Sequence, residues 1–310
     1  MERNKIKGVK PFNQFFFRSC YYHQLISALS CFGISEDNVL YNAFPVLSEK
    51  FGYKIKNIYN EKKLLSYLGC KNQHGILNLD AICKSIDKGN PIIIGIDIYY
   101  FESRSDTYLK YHDTHFILML GYDREKDEAY IVDHDYANGT RYQEKTISLD
   151  NLLLAAKYYN KLRGRKRVGC QIIQSNVPAL NSQNLHLWEM LPKSVLKNNL
   201  EISSRNLSAL KDLFSREESM TEQKTQLVHN YLKGISQFYK VYSNNEILQN
   251  EDRVSIGKLI SGYGILLSVI WKMEVKQDYN VPKEQSDKLI SKIDEIMTLE
   301  KQVYQILMRL

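Results

Sequence analysis

The stretch "YHDTHFILMLGYD", residues 111–123, places two histidines just ahead of an apolar run. Phe116 to Leu120 is continuously apolar and is flanked by polar residues, which is typical of a buried strand. A histidine at the start of such a strand is held rigidly, and its imidazole titrates near neutral pH, which suits a general base. His115 adjoins the run directly, whereas His112 stands in the preceding segment. A histidine that only caps the strand fits the same pattern, so the interpretation depends on finding partners for the imidazole.

A cysteine near the N-terminus is the candidate nucleophile. Cys20 lies in "NQFFFRSCYYHQLISALS", residues 13–30, just before the first strong helical pattern. A thiol at a helix N-terminus faces the positive end of the helix dipole, which lowers its pKa and favours the thiolate. Gln14, six residues upstream, is predicted to donate its amide to a developing oxyanion. The alternative is a buried structural Cys20 beside a surface Gln14.

An acidic residue on the next predicted strand completes the set. Asp133 lies in "EAYIVDHD", residues 128–135, which the short hairpin "DREKDE" joins to the preceding strand. An antiparallel hairpin brings the end of its second strand near the start of its first, so Asp133 is expected to bond His115 and fix its tautomer. Asp135 and Asn138 are the next candidates for this role. The chain order of cysteine, histidine and acid resembles that of papain-like enzymes.

The elements around these residues indicate an α+β fold. Helical patterns come first, at 23–33, 35–52, 61–69 and 78–90, and strand patterns follow at 91–100, 116–123, 128–135 and 168–175. Helices followed by adjacent strands favour helices packed on an antiparallel sheet. Near residue 178 the pattern changes, and apolar residues then recur at three-to-four spacing. We therefore predict a catalytic domain at 1–178 and an α-helical bundle domain of four or five helices at 179–310.

Composition excludes several classes of protein. The hydrophobic and charged fractions, 44% and 25%, are ordinary for a soluble globular chain, and no run of 18 apolar residues predicts a membrane span. Five cysteines without a CxxC pair argue against a disulfide framework and a zinc site, and favour a cytoplasmic location. The net charge is +7, but the lysines are interspersed with acids and no nucleic-acid module appears. We therefore expect neither a nucleic-acid nor a membrane partner.

One dense basic cluster stands out at 161–167. The stretch "KLRGRKR" contains Lys161, Arg163, Arg165, Lys166 and Arg167. Such a cluster is either a docking patch for an acidic partner or a solvated turn between two strands.

The segment between the first two strands supplies candidates for substrate binding. Asp97 lies inside the apolar pattern "IIIGIDIYY", residues 92–100, and a buried acid requires a partner. The predicted substrate-binding residues are Asp97, Tyr99, Tyr100, Tyr111 and His112. The alternatives are packing alone for the tyrosines and a simple loop position for His112.

Residues 10–178 resemble the N-terminal-domain family of butirosin biosynthesis protein H, whose members are papain-like cysteine acyltransferases. The resemblance rests on "RSC" before a helix, "GISEDNVL" after it, and "PIIIGIDIYYFESRSDTYLKYHDTHFILMLGYD" followed by "AYIVD". It implies a papain-like cysteine-protease fold and transfer of an acyl group, through an acyl-Cys20 thioester, to an amine in antibiotic biosynthesis. Closthioamide synthetase and bacteriocin-processing peptidases have similar folds. Ser19 stands where the family often has histidine.

The same resemblance implies the partners. The acyl donor is expected to be an acyl or peptidyl carrier protein that carries the phosphopantetheine, and the acceptor a small amine, while the chain itself holds no cofactor or metal. Two alternatives remain open. One is a cysteine peptidase or amidase that uses the same triad with water as acceptor, and the other is a non-catalytic binding protein.

Overall fold

A computed structural model describes residues 3–13, 19–40, 42–135, 141–164, 169–175, 193–215, 220–244 and 248–309. The strands are β1 (Arg3–Lys5), β2 (Ala43–Ser48), β3 (Gly52–Asn57), β4 (Cys70–Ile76), β5 (Ile92–Asp97), β6 (Thr114–Asp123), β7 (Glu128–Asp135), β8 (Arg141–Ser148) and β9 (Gly169–Ser175). The helices are α1 (Cys20–Ser30), α2 (Glu36–Leu40), α3 (Glu61–Tyr67), α4 (Leu79–Asp87), α5 (Leu149–Leu162), α6 (Lys193–Ser215), α7 (Glu222–Ser243), α8 (Asn250–Lys276) and α9 (Lys283–Arg309).

The chain forms two compact units. The first comprises Met1–Val39 with Tyr59–Asn184, and the second comprises Leu40–Ile58 with Leu185–Leu310. The predicted domain boundary at 178 lies in the stretch 176–192, outside the described residues. The β2–β3 hairpin groups with the helices of the second unit, although its sequence lies within the predicted first domain.

An antiparallel sheet organises the first unit. Its strand order is β4-β9-β5-β6-β7-β8, and β1 pairs with the far end of β6. Every residue of β5 is buried, and β6 is buried from Ile117 to Asp123, which accounts for their nearly unbroken apolar sequences. Gly95 lets α5 pack closely on β5, because a Cβ atom there would lie 2.5 Å from the ring of Tyr159. The predicted α+β class with helices on an antiparallel sheet is confirmed.

The start of β6 is paired on one side only. On the β5 side the pairing runs from Asp97–Thr114 onward, but on the β7 side it begins at Leu118–Val132. The backbone of Phe116 is therefore free of the β7 ladder, and its carbonyl accepts a hydrogen bond of 3.1 Å from the Gln24 side chain of α1. The hydrogen bond between Gln24 and Phe116 holds α1 against the residue that follows His115.

The second unit joins the hairpin to long helices. Asn199 of α6 is buried and bonds both the Leu47 amide and the Pro45 carbonyl of β2. In this unit α6, α7, α8 and α9 form the predicted C-terminal helical region. Glu300 of α9 is buried among them and accepts hydrogen bonds from the hydroxyls of Tyr239 in α7 and Tyr263 in α8.

The sequence prediction was wrong for one segment and incomplete for others. Residues 35–52 were predicted as one helix, but only Glu36–Leu40 is helical, and the rest enters β2 and the turn to β3. Pro45 cannot donate a helical hydrogen bond, and it pairs with Ile55 in the hairpin instead. Four elements of the first unit, β1, β4, β8 and α5, were not predicted.

Candidate active site

Cys20 is the first residue of α1. Ser19 precedes it in an extended conformation and makes no side-chain capping bond, so the first amides of the helix are not capped by that hydroxyl. The thiol is half-buried. A sulfur atom in this position faces the positive end of the helix dipole, and this favours the thiolate.

His115 lies between this thiol and a buried carboxylate. Its Nε2 atom is 2.7 Å from Oδ1 of Asp133, and both side chains are buried. Because a carboxylate only accepts, Nε2 carries the proton of this bond and Nδ1 is the nitrogen left for Cys20. A hydrogen bond does link the His115 side chain to Cys20. The structure therefore places the three residues of the predicted triad in one continuous chain of contacts.

The charges of the three groups support one another. Burial alone would raise the pKa of Cys20, but the hydrogen bond and charge of His115, with backbone amides of Phe116 and Tyr21, lower the thiol pKa below its ordinary value. Burial opposes the imidazolium as well, yet the bonds to Asp133 and Cys20 raise the pKa of His115 to about 9. The pKa of Asp133 is lowered, because its bond to His115 outweighs its own burial. The arrangement favours a thiolate–imidazolium pair backed by a carboxylate.

Two residues that the sequence analysis missed support this arrangement. Lys145 of β8 lies 3.8 Å from Oδ2 of Asp133 and donates to the His134 carbonyl, so a positive charge faces the buried acid. Gln24, fully buried one turn after Cys20, ties α1 to Phe116. The spacing of Gln24 from Cys20 is the only sequence signal for its role, whereas Lys145 required recognition of β8.

The predicted substrate-binding residues form a separate cluster. Asp97 is fully buried and bonds Nδ1 of His112 at 2.8 Å and the Tyr99 amide at 3.1 Å. The ring of Tyr99 stacks on His112 with centroids 4.2 Å apart. Asp97 thus ties together both ends of the segment that leads to His115.

This cluster and the triad use opposite faces of the sheet. Asp97 pairs with Thr114 in the β5–β6 ladder, and the neighbouring pair is Ile96 with His115. Successive side chains of a strand alternate between faces, so Asp97 points away from the face of His115. Tyr100 stacks on Tyr158 of α5, and Tyr111 is exposed. Substrate binding by these residues stays a prediction.

Several other predicted residues lie outside the described ranges. Gln14, the candidate oxyanion donor, and Asn138, a reserve candidate for the acid, are outside the described residues. The same holds for Arg165, Lys166 and Arg167 of the basic cluster, whereas Lys161 and Arg163 are described and exposed. Within the described ranges no group of three or more His, Cys, Asp or Glu side chains is arranged to hold a metal ion.

Comparison with known proteins agrees with this fold. Residues 7–166 match the model described as "Peptidase_C39 like family", and because this match spans 160 of the 310 residues, the chain belongs to that family of papain-type fold. Among solved structures it is similar to a candidate C39-like peptidase from Bacillus anthracis. That likeness has 16% identity, covers 56% of this chain and 98% of the other, and has a TM-score of 0.35. A search of the curated proteins finds no match.

Proposed function

We propose that this member of the Peptidase_C39-like family is a cysteine acyltransferase that forms an amide bond through an acyl-Cys20 thioester. The observation that carries the proposal is the contact chain from the Cys20 thiol, at the start of α1, through His115 to the buried Asp133. A thiolate whose pKa is held low by an imidazolium is the nucleophile of covalent acyl transfer.

The first half of the reaction loads the enzyme. The Cys20 thiolate attacks the carbonyl carbon of an acyl thioester, and the C–S bond to the donor thiol breaks. The departing thiolate takes the proton from Nδ1 of His115. The amide of Cys20 at the helix start is one donor to the oxyanion of the tetrahedral intermediate, and Gln14 is proposed as the second.

The second half releases the product. The acceptor amine attacks the acyl-Cys20 carbonyl, and His115, now neutral, takes the proton that the nitrogen loses. The C–S bond to Cys20 breaks, the amide leaves, and the thiolate–imidazolium pair is restored. Asp133 stays ionised throughout and holds Nε2 of His115, so that Nδ1 faces the sulfur in both halves.

The choice of donor and acceptor rests on the family resemblance of residues 10–178. We propose an acyl or peptidyl carrier protein as donor, which brings its own phosphopantetheine, and a small amine as acceptor in antibiotic biosynthesis. The exposed Lys161 and Arg163, with the three basic residues that follow, are proposed to dock the acidic carrier. The alternative, a peptidase or amidase, uses the same chemistry with water as the second nucleophile.

The test is intact mass spectrometry with a small thioester, such as an acyl N-acetylcysteamine, in the presence and absence of primary amines. We expect the protein to gain the acyl mass and to lose it as an amide when amine is added. Cys20→Ala should gain nothing, while Cys31→Ala, the matched change at the other half-exposed thiol, should gain as the parent does. Release of the free acid at the same rate with or without amine would favour the hydrolase, and an adduct on Cys20→Ala would refute the nucleophile.

A further inference from the structure

Helix α8 carries large apolar side chains on its outward face. Its inner face packs within the second unit through Leu259, Leu266 and other buried residues. On the outside, Val254, Ile265, Trp271 and Val275 have 57%, 46%, 53% and 62% of their surface exposed. No charged residue stands between Lys258 and Lys272. Several large exposed apolar side chains on one helix, with no charged residue over thirteen positions, are typical of an interaction surface.

No contact within the described residues requires glycine at two positions on the same face. A Cβ atom at Gly257 or at Gly264 would meet no atom within 4 Å. Gly262, by contrast, is buried, and a Cβ atom there would lie 2.8 Å from Ile296. Glycine is among the poorest helix formers, so outward glycines in a long helix need another explanation. Small residues on a helix face allow the backbone of a second helix to approach closely.

The order of residues along this face is that of a helix-pairing seam. Alternating steps of three and four connect Val254, Gly257, Ser261, Gly264, Ser268, Trp271 and Val275. This is the seven-residue repeat by which two helices pack along their length. From Val254 to Trp271, four small positions lie between two bulky ones, so the order of bulky and small positions is the same when read from either end.

This symmetric order favours the same helix of a second copy of the chain as the partner. In an antiparallel pair of α8 helices, Val254 faces Trp271, Gly257 faces Ser268, and Ser261 faces Gly264, and every contact occurs twice. A two-fold dimer requires such a self-complementary patch. A parallel pair would instead oppose Trp271 to Trp271 and Lys272 to Lys272.

We propose that the outward face of α8 binds the same face of a second copy of this chain as an antiparallel helix pair. The indole of Trp271 then lies beside Val254 and Lys258 of the partner copy, where the ammonium group of the lysine adds a cation–π contact. The seam from residue 254 to 275 is about 32 Å long at 1.5 Å per residue. A single helix pair of this length makes a small interface, so the dimer is weak and concentration-dependent.

A lipid surface is the other candidate for this face. α8 is long and apolar enough to cross a membrane, although a third of its apolar stretch is buried within the protein. Tyr263 on its inner face is bonded to Glu300, which commits that side of the helix to the second unit. Binding to lipid chains does not require glycines seven residues apart or a symmetric order of large and small side chains. These two features therefore favour a second copy of the chain as the partner.

The experiment is sedimentation equilibrium of the full chain over roughly 1–100 µM, because a dimer with a micromolar Kd changes from mostly monomer to mostly dimer over this range. The weight-average mass should rise from 36.3 kDa towards twice that value. Gly264→Leu, whose Cβ atom would meet no described atom within 4 Å, should stay monomeric because its side chain blocks the close approach of a second helix. Ile265→Glu should also stay monomeric, while Leu227→Glu on α7, at the same 46% exposure, should dimerise like the parent. Circular dichroism checks that each variant retains its helices.

Three results would overturn the proposal. The first is a parent protein that stays monomeric across the range. The second is a loss of dimer in Leu227→Glu that equals the loss in Ile265→Glu. The third is a monomer whose Trp271 emission, in a Trp188→Phe background, shifts to the blue on vesicles of phosphatidylcholine and phosphatidylglycerol in equal parts, and this result would assign the face to a membrane surface instead.

Discussion

The two ends of α1 carry two half-exposed thiols with opposite properties. Cys20 starts the helix and Cys31 caps its C-terminus. Burial raises the pKa of Cys31 to about 12, the nearby Cys70 adds to this rise, and the Cys31 thiol bonds the Ala28 carbonyl at 2.9 Å. Burial also acts on Cys20, but there the bond and charge of His115 more than offset it, and the thiol pKa falls.

The difference shows that exposure alone does not set the pKa of a cysteine thiol. The helix dipole favours a negative charge at the N-terminal end and opposes one at the C-terminal end. His115 adds a positive charge at the first end, whereas the second has a carbonyl that keeps the thiol protonated. Removal of His115 or of Asp133 therefore tests what sets Cys20 apart from Cys31.

Loss of His115 should have the largest effect. His115→Ala removes both the general base and the positive charge that lowers the Cys20 pKa, so acyl transfer should fall by about 100-fold or more. The pKa of Cys20 should then rise, as burial alone dictates. His112→Ala is the matched control, since His112 bonds Asp97 on the other face, and it should cost much less in a steady-state rate assay. A larger loss in His112→Ala than in His115→Ala would reverse the assignment of the base.

Loss of the Asp133 charge should come next. Asp133→Asn removes the acceptor that holds Nε2 of His115 and stabilises the imidazolium, so we expect about a 10- to 100-fold lower turnover. Turnover is measured together with a thermal unfolding curve, which shows whether the variant keeps the stability of the parent. A variant with parental turnover and unchanged stability would show that the bond between Asp133 and His115 does not serve catalysis.

The pH dependence of acylation should follow the ion pair. The pKa of Cys20 is lowered, so the thiolate persists below the ordinary thiol range, and the pKa of His115 is raised to about 9, so the imidazolium persists up to that value. Acylation should therefore be high between these limits, fall in acid as Cys20 takes a proton, and fall as pH rises through about 9. A rate that keeps rising above pH 9 would contradict the pair and indicate simple thiol ionisation.

The basic cluster should give the smallest effect. Lys161→Glu with Arg163→Glu should raise the KM for a carrier-bound acyl group by about 3- to 10-fold, because each exposed pair contributes only roughly 0–1 kcal/mol and is screened by salt. A small thioester should be processed as before. The matched control reverses Lys84 on α4 and Lys88 just after it, which are also exposed. Equal loss on both substrates would show that the cluster supports the fold rather than docking.

The three residues of the predicted triad could be identified from the sequence because each lies at the boundary of a strong apolar pattern. Cys20 precedes an apolar helix, His115 precedes the apolar run of β6, and Asp133 ends the run of β7. These local signals, with the short hairpin between the two strands, are sufficient to bring the residues together. The observed pairing of Leu118 with Val132 has the antiparallel register that this reasoning required.

The missed elements depend on contacts that are distant in sequence. Pro45 is a local signal against a helix in β2, but the strand backbone is bonded by Asn199, which lies 152 residues beyond Leu47, and no local pattern predicts that contact. The strand β8 alternates polar and apolar residues only weakly, so its sequence does not indicate a strand. Lys145 lies near Asp133 only because β8 pairs with β7 in the sheet. The support of the candidate site by Lys145 depends on tertiary packing and could not be predicted from spacing, whereas for Gln24 the one-turn spacing from Cys20 is the only sequence signal.

The most direct test measures the two thiols of α1 in the same sample. Iodoacetamide alkylates thiolates, and peptide mass spectrometry gives the rate at Cys20 and at Cys31 separately over a range of pH. Cys20 should react fast and keep reacting as the pH falls below the ordinary thiol range, while Cys31 should react slowly until strongly alkaline pH. If both cysteines show the same pH dependence, or Cys31 reacts faster at neutral pH, then Cys20 is not held as a thiolate by His115.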